Sequence, residues 1–254
     1  MQSHMKFEDK VARLRKEKYK GIETPELLED IKRMTDGEAF EYLLGEIVFA
    51  GAKVDLSLRP MIPRPETEFW VKQAIEDIMK TKRLFVLRVL DLFAGSGNVG
   101  LAIARNIPEA TVDFIELDPK LKPGIEHSII RNNIKKLRAR VLVGDMWTGA
   151  GGTYDVIFAV PPYVPQSMKE EVMKELHAEA PLSFFDKEEG FYFHTQVLSR
   201  AKEFMKEDGV LYLEFDITQR EKIEELAKEY GFTNYSFLKD PYGHECVIQL
   251  SKQA

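Results

Sequence analysis

The stretch Phe85 to Gly100, FVLRVLDLFAGSGNVG, constrains this chain more than any other. An apolar run from Val86 to Phe93 stops at Ala94-Gly95-Ser96-Gly97, and apolar residues Val99, Leu101, Ala102 and Ile103 come directly after. That order reads as a buried strand, a tight glycine turn and the opening of a helix. Gly95 and Gly97 would let the backbone approach a ligand closely, with a helix N-terminus behind it. Asp91 sits at the strand end, the edge where open α/β sheets bind ligands. Taken alone the turn has a blander reading, because many strand-to-helix turns use glycine only for steric room.

Beyond residue 85 strands and helices alternate. The pattern predicts strands over 85–92, 111–116, 139–143, 154–160, 209–216, 232–238 and 244–250, and helices near 98–106, 120–136, 188–206 and 217–229. Such alternation builds a parallel sheet covered by helices on both faces. The last two strands are joined only by Lys239-Asp240-Pro241-Tyr242-Gly243, too short for a helical crossover, so they must pair antiparallel. An α/β sheet of seven strands, mostly parallel with the last pair antiparallel, resembles the Rossmann-like class I S-adenosylmethionine-dependent methyltransferase fold.

Ahead of it, Phe7, Val11 and Leu14 recur at helical spacing, and Thr24-Pro25-Glu26 caps a second helix over Leu27, Leu28, Ile31 and Met34. Two such helices are too little to fold alone and should dock on the rest of the chain. Ile47-Val48-Phe49 and Val54 to Leu58, around Ala50-Gly51-Ala52, read as a β-hairpin. The proline-punctuated run from Arg59 to Pro65 excludes regular helix, then leads into one with Trp70, Val71, Ala74, Ile75, Ile78 and Met79 on one face. The expected division is a tag remnant at 1–4, an N-terminal helical substrate-docking segment at 5–41, a hairpin linker at 42–64 and a methyltransferase domain at 65–254.

Composition narrows the class. A chain of 254 residues with 44% hydrophobic residues fits one α/β domain plus a small extra piece, and no apolar run reaches membrane-span length. Cys246 is the only cysteine, which excludes an internal disulfide and a cysteine-cluster metal site and fits a reducing cytoplasm. The net charge of −6 argues against a general nucleic-acid binder, although a local basic patch stays open. The basic residues Lys120, Lys122, Arg131, Lys135, Lys136, Arg138 and Arg140 read first as a solvated surface and second as a docking face.

Three strand ends carry the chemistry. Glu116 closes the second strand about twenty residues after the glycine turn, where a carboxylate that accepts from ribose hydroxyls is expected. Asp118 reads as a cap. Asp145 and Met146 lie just past the third strand, where the resemblance to the methyltransferase fold implies an adenine-facing acid with a packing neighbour; the residues alone equally allow a turn acid beside a core residue. The fourth strand ends Val160-Pro161-Pro162-Tyr163. Two prolines directly after a strand rigidify the backbone and leave carbonyls without ladder partners, while tyrosine offers a flat face to a planar group. The histidines lie at no metal-ligand spacing, so no metal is expected.

With Tyr42-Leu43-Leu44-Gly45-Glu46, Ile62-Pro63-Arg64-Pro65-Glu66-Thr67-Glu68, Asp91 to Gly97, the Pro-Pro-Tyr site, Glu179-Ala180-Pro181-Leu182 and Gly243-His244 in this order, the chain resembles the N5-glutamine methyltransferases of peptide chain release factors, the HemK/PrmC family. The resemblance runs from about residue 38 to the C-terminus, and Ile-Pro-Arg-Pro-Glu-Thr is its most specific part. It implies S-adenosyl-L-methionine as donor, with S-adenosyl-L-homocysteine as product, and the glutamine of a Gly-Gly-Gln loop as acceptor. The donor would be held by Asp91, Phe93, Ala94, Gly95, Ser96, Gly97, Asn98, Glu116, Asp145, Met146 and Val160. The substrate would meet Arg64, Glu66, Val160, Pro161, Pro162 and Tyr163, the last four being the catalytic tetrad. The expectation for the chain as a whole is a cytoplasmic monomer with no stable nucleic acid and no membrane partner.

Two departures stand out. The helical segment before Tyr42 is shorter than the family's, and Val160 occupies the tetrad position where the family has asparagine. Valine offers no acceptor, so an amide N–H facing it would be unpaired, at a cost of about 1–3 kcal/mol. Two other readings therefore stay open: an amino-methyltransferase on adenine in DNA or RNA, and a donor-binding protein without turnover.

Overall fold

The computed structural model describes residues 5–81, 86–170 and 185–253. Helices α1 (Phe7–Glu17), α2 (Pro25–Thr35) and α3 (Phe40–Leu44) come first, and Leu14, Leu27, Met34, Phe40 and Leu43 pack together between them. The Thr24 hydroxyl accepts the Leu27 N–H at 3.2 Å and caps α2, as its sequence predicts. Polar contacts tie this helical unit together and to the segment beyond it: Lys18 donates to the Leu43 carbonyl at 2.7 Å and Tyr42 to the Pro60 carbonyl at 2.7 Å.

The hairpin pairs β1 (Glu46–Phe49) with β2 (Ala52–Asp55) around Ala50 and Gly51, both at positive φ. That is the backbone a two-residue hairpin turn requires. Helix α4 (Pro65–Thr81) starts at the proline the sequence places there, and its Glu68 carboxylate accepts the Ala50 N–H at 3.0 Å.

The main body alternates β3 (Leu87–Leu92), α5 (Asn98–Asn106), β4 (Ala110–Glu116), α6 (Lys122–Arg131), β5 (Ala139–Val143) and β6 (Tyr154–Ala159). A short pairing of β7 (Val164–Pro165) with β8 (Phe185–Asp186) lies outside the main sheet. The chain then continues through α7 (Tyr192–Phe204), β9 (Met205–Glu214) and α8 (Arg220–Glu229), closing with β10 (Tyr235–Lys239) and β11 (Glu245–Ser251). The seven strands run in the order β10-β11-β9-β6-β3-β4-β5, with β3, β4, β5, β6 and β9 parallel and β11 antiparallel to both neighbours. This is the expected class I methyltransferase sheet.

Alternate residues of the strands feed two cores. Val89, Val112, Phe114, Val156 and Phe158 face α4, α5 and the hairpin, whereas Leu90, Ile115, Ile157, Leu211 and Leu213 face α7 and α8. Trp70 on α4 is fully buried, stacked on Phe158 and Tyr212 at centroid distances of 6.1 and 6.4 Å.

Element ends differ from the periodicity. The predicted 120–136 helix stops at Arg131, because Asn132 and the left-handed Asn133 turn the chain. The 188–206 helix contracts to Tyr192–Phe204, and the strand predicted at 209 begins at Met205. The Glu179 to Leu182 motif, His4 and His177 lie outside the described residues.

Candidate active site

Gly97 takes φ of 78° at the N-cap of α5, and Gly95 takes 55° in the turn before it. Behind the turn, the Asp91 carboxylate accepts the Gly100 N–H at 2.8 Å and so satisfies one open donor of the helix start. Only glycine fits at 100: a Cβ there would lie 2.4 Å from the Phe114 ring and 2.9 Å from Asp91 Oδ2. Glu116, ending the adjacent strand, accepts the Gly95 N–H at 2.7 Å on one oxygen and the Asp118 N–H at 2.8 Å on the other. Asp118 in turn accepts the Lys120 N–H at 2.9 Å in the turn ahead of α6, whose N-cap is Leu121, so the helix cap expected of Asp118 is not made.

These residues open onto a cleft of about 550 Å³ at the carboxyl edge of the sheet. Its wall brings together twelve of the predicted positions: Arg64, Asp91, Phe93, Ala94, Gly95, Ser96, Asn98, Glu116, Asp145, Met146, Val160 and Pro162. Gly97 points its vacant side at Ile125 instead. Glu66 and Tyr163 are half-buried outside the wall, and Pro161 is buried. Phe93 and Met146, in the turns after β3 and β5, hold left-handed backbones with φ of 66° and 44°. Each such conformation costs a bulky residue about 1–3 kcal/mol and aims its side chain into the cleft at that expense.

Two acids beside the glycine turn are desolvated. Burial, then the neighbouring Glu116 charge, pushes the Asp91 carboxyl up to about 8 despite its bond from Gly100. Burial likewise raises Glu116, against the backbone N–H groups that it accepts. Two desolvated acids beside one turn are relieved by a ligand that carries positive charge and offers hydroxyl donors. An adenosyl sulfonium has both, so the residues present fit S-adenosylmethionine. Among the described residues no cluster of three metal-ligating side chains occurs.

One group was not singled out by sequence. Glu214, the last residue of β9, is buried next to the diproline corner. One carboxylate oxygen accepts the Thr67 hydroxyl at 2.8 Å and the Trp70 indole N–H at 2.5 Å, and the other accepts the Tyr163 hydroxyl at 3.4 Å. Burial raises its pKa. His194 lies beside it, with Nε2 2.9 Å from the Glu214 carbonyl, and burial drops the imidazole to about 4, so the ring is neutral. A signal existed: Glu214 closes the run Leu211-Tyr212-Leu213 at its strand end as Glu116 closes Phe114-Ile115.

The basic stretch disperses. Arg131 pairs with Glu46, Arg140 with Asp113, and Arg138 donates to the carbonyls of Ala104, Ile107 and Ala110 at 2.8, 2.8 and 2.9 Å. Of this stretch, Lys120 alone reaches the cleft wall.

Comparison with known proteins now decides the family. A release factor glutamine methyltransferase from Thermodesulfovibrio yellowstonii is 31% identical over 227 residues, covering 87% of this chain and 79% of the relative. The chain belongs to the release factor glutamine methyltransferase family. The family model described as "Conserved hypothetical protein 95" also matches it, over residues 55–193. Another relative is the 4-amino-L-phenylalanine/4-methylamino-L-phenylalanine methyltransferase of Streptomyces pristinaespiralis, 28% identical over 85% of this chain and 74% of its own. A crystal structure of a methyltransferase from Pyrococcus furiosus shares the fold at a TM-score of 0.58 and 18% identity, covering 88% of this chain and 98% of that one. Two stretches distant in sequence meet here, since Arg64 and Thr67 at the start of α4 and Val160 and Pro162 at the diproline corner line one cleft.

Proposed function

We propose that this chain transfers a methyl group from S-adenosyl-L-methionine to the side-chain amide nitrogen of the Gly-Gly-Gln glutamine of a peptide chain release factor. The observation that carries the reading is the opening of the glycine turn and the diproline corner onto one cleft. In this reading Glu116 binds the ribose hydroxyls, Asp145 meets the adenine amino group and Met146 packs on the ring. Asp91 lies under the turn and holds the Gly100 N–H. Bound S-adenosylmethionine supplies an electrophilic methyl on a sulfonium that leaves as a neutral thioether.

The chain's own residues then orient the nucleophile. An amide nitrogen is weak because its lone pair is delocalised, so holding it in line with the methyl carries most of the catalysis. The Pro161 carbonyl accepts one N–H, Pro162 shapes the wall, and Tyr163 backs the corner. Val160 accepts nothing, and the second N–H loses about 1–3 kcal/mol of pairing. Arg64 borders the substrate side, with Glu66 supporting the helix start. Residues 5–41 dock the release factor, 42–64 link them to the methyltransferase domain at 65–254, and the protein works as a cytoplasmic monomer without nucleic acid or membrane.

Val160 favours one second reading. An apolar residue at that position suits an aromatic amine, whose flat ring packs on apolar surface, and the Streptomyces relative is named for an arylamine substrate. The discriminating experiment supplies labelled donor with release factor, 4-aminophenylalanine or adenine-bearing nucleic acid, for the chain and for Val160→Asn. Label in release factor, increased by Val160→Asn, supports the first reading. Label confined to an amine substrate overturns it.

A further inference from the structure

Glu214 is a buried carboxylate whose bonds, among the described residues, come from three neutral donors: Thr67, Trp70 and Tyr163. Such a group is a poor stabiliser, because well-packed apolar residues of similar volume commonly do as well in a core. Its placement suggests another use. In the register of β6 and β9, Ala159 pairs with Leu213, so Val160 and Glu214 stand opposite each other one residue further along. Their side chains share the α4 face of the sheet, because Phe158 and Tyr212, two residues earlier, both lie in that core.

The bonds divide by oxygen. Oε2 is anchored to the first two turns of α4 by Thr67 and Trp70, which leaves Oε1 for the Tyr163 hydroxyl. Thr67 and Pro162 both line the cleft, the first bonded to Glu214 and the second next in sequence to Tyr163. The Tyr163 carbonyl is fixed independently, accepting from Gln219 Nε2 at 3.1 Å. The backbone of residue 163 is thus held from one direction and its ring from the other.

We infer that Glu214 is a positioning residue for substrate amide recognition: it ties the Tyr163 ring to α4 and thereby sets the width of the slot between Thr67 and Pro162. This deepens the glutamine reading above and rests on it. Misplacing a corner that must hold a planar group in line with a methyl costs about 10- to 100-fold in rate.

The test uses the full chain labelled with fluorotyrosine, the Tyr163 signal being assigned by its loss in Tyr163→Phe. Glu214→Ala, or Glu214→Leu if the alanine variant does not fold, is expected to move that signal toward its solvent position. Turnover on release factor should fall about 10- to 100-fold. Donor affinity measured by calorimetry should stay within about threefold, a change no larger than one ordinary hydrogen bond contributes. Glu214→Gln should restore the signal and most of the rate. The Glu214→Ala/Tyr163→Phe double variant should lose no more than the worse single one. An unmoved fluorine signal, multiplying losses, or a donor affinity that falls in step with the rate would each overturn the inference. Absence of methyl transfer by the parent chain would refute the glutamine reading instead, and the fluorine signal would still decide whether Glu214 holds Tyr163.

Discussion

Glu116 and Gly95 are joined across the strand ends by a 2.7 Å bond from the glycine N–H to the carboxylate. The acid proposed to accept the ribose hydroxyls is therefore also what fixes the turn beneath it. Its second oxygen is held by the Asp118 N–H, so both are oriented before a ligand arrives. Preorganisation of this kind removes ordering cost from the binding step.

Replacing Glu116 with alanine should remove the ribose acceptor and loosen the turn together. Hydrogen bonds to a charged group contribute about 1.5–3 kcal/mol, so donor affinity should fall about 10- to 100-fold by calorimetry. Glu116→Gln retains an acceptor for Gly95 and should lose less. Equal affinity for the parent and the alanine variant would remove Glu116 from the site.

Gly100→Ala should destabilise the fold through the same turn. The new methyl would meet the Phe114 ring at 2.4 Å and Asp91 Oδ2 at 2.9 Å, and neither belongs to a flexible chain end. Overpacking of this kind costs about 1–3 kcal/mol, which should lower the melting temperature by several degrees. Scanning calorimetry checks it, and an unchanged transition would contradict the packing described.

The pH dependence of stability should carry the mark of Asp91. Burial raises its pKa from an ordinary 3.8 to about 8, so between those values the folded chain keeps a proton that the unfolded chain has lost. Folding stability contributed by this group is then greatest at low pH, declines as pH rises toward 8 and is level above it. The slope cannot exceed about 1.4 kcal/mol per pH unit for one group. Asp91→Asn keeps an acceptor for the Gly100 N–H and should abolish that component. Denaturant titrations of both proteins from pH 5 to 8 would show the difference narrowing at one end, and parallel curves would contradict it.

How much of this could be read from the chain depended on whether a residue acts locally. The strand–turn–helix at Asp91 to Gly100 is set by neighbours in sequence, and its helix bounds, 98–106, match the structure. The same holds for the antiparallel closing pair, dictated by a five-residue connection that Asp240 organises by accepting the Tyr242 and His244 N–H groups. Glu214 escaped notice because its partners, Thr67 and Trp70, lie 147 and 144 residues away, and no local pattern reports such a contact. Tyr163 shows the converse limit. Its place in a motif points to a flat face for a planar group, but says nothing of the hydroxyl, which is bonded inward to Glu214. The left-handed turns at Phe93 and Met146 were equally hidden, since neither residue type advertises that backbone.

Arg138 should prove a stability residue with no part in catalysis. Its guanidinium satisfies the carbonyls of Ala104 and Ile107 at the end of α5 and of Ala110 at the start of β4. Arg138→Ala leaves those acceptors to solvent or unpaired, at a cost of about 1–3 kcal/mol. Turnover of the folded fraction should match that of the parent chain. A selective loss of activity without loss of stability would return the basic stretch to the role of docking face.

The diproline cleft is proposed to methylate a carboxamide. Mass spectrometry of release factor after incubation with Val160→Asn protein and labelled donor addresses it directly, because fragmentation locates the methyl group to one side-chain nitrogen. Restoring the acceptor is expected to raise incorporation about 100-fold over the parent chain, comparable to supplying one preorganised polar group in a reacting site, with all label on the Gly-Gly-Gln glutamine. Label on any other residue, or no gain from the asparagine, would mean that the diproline corner grips something else.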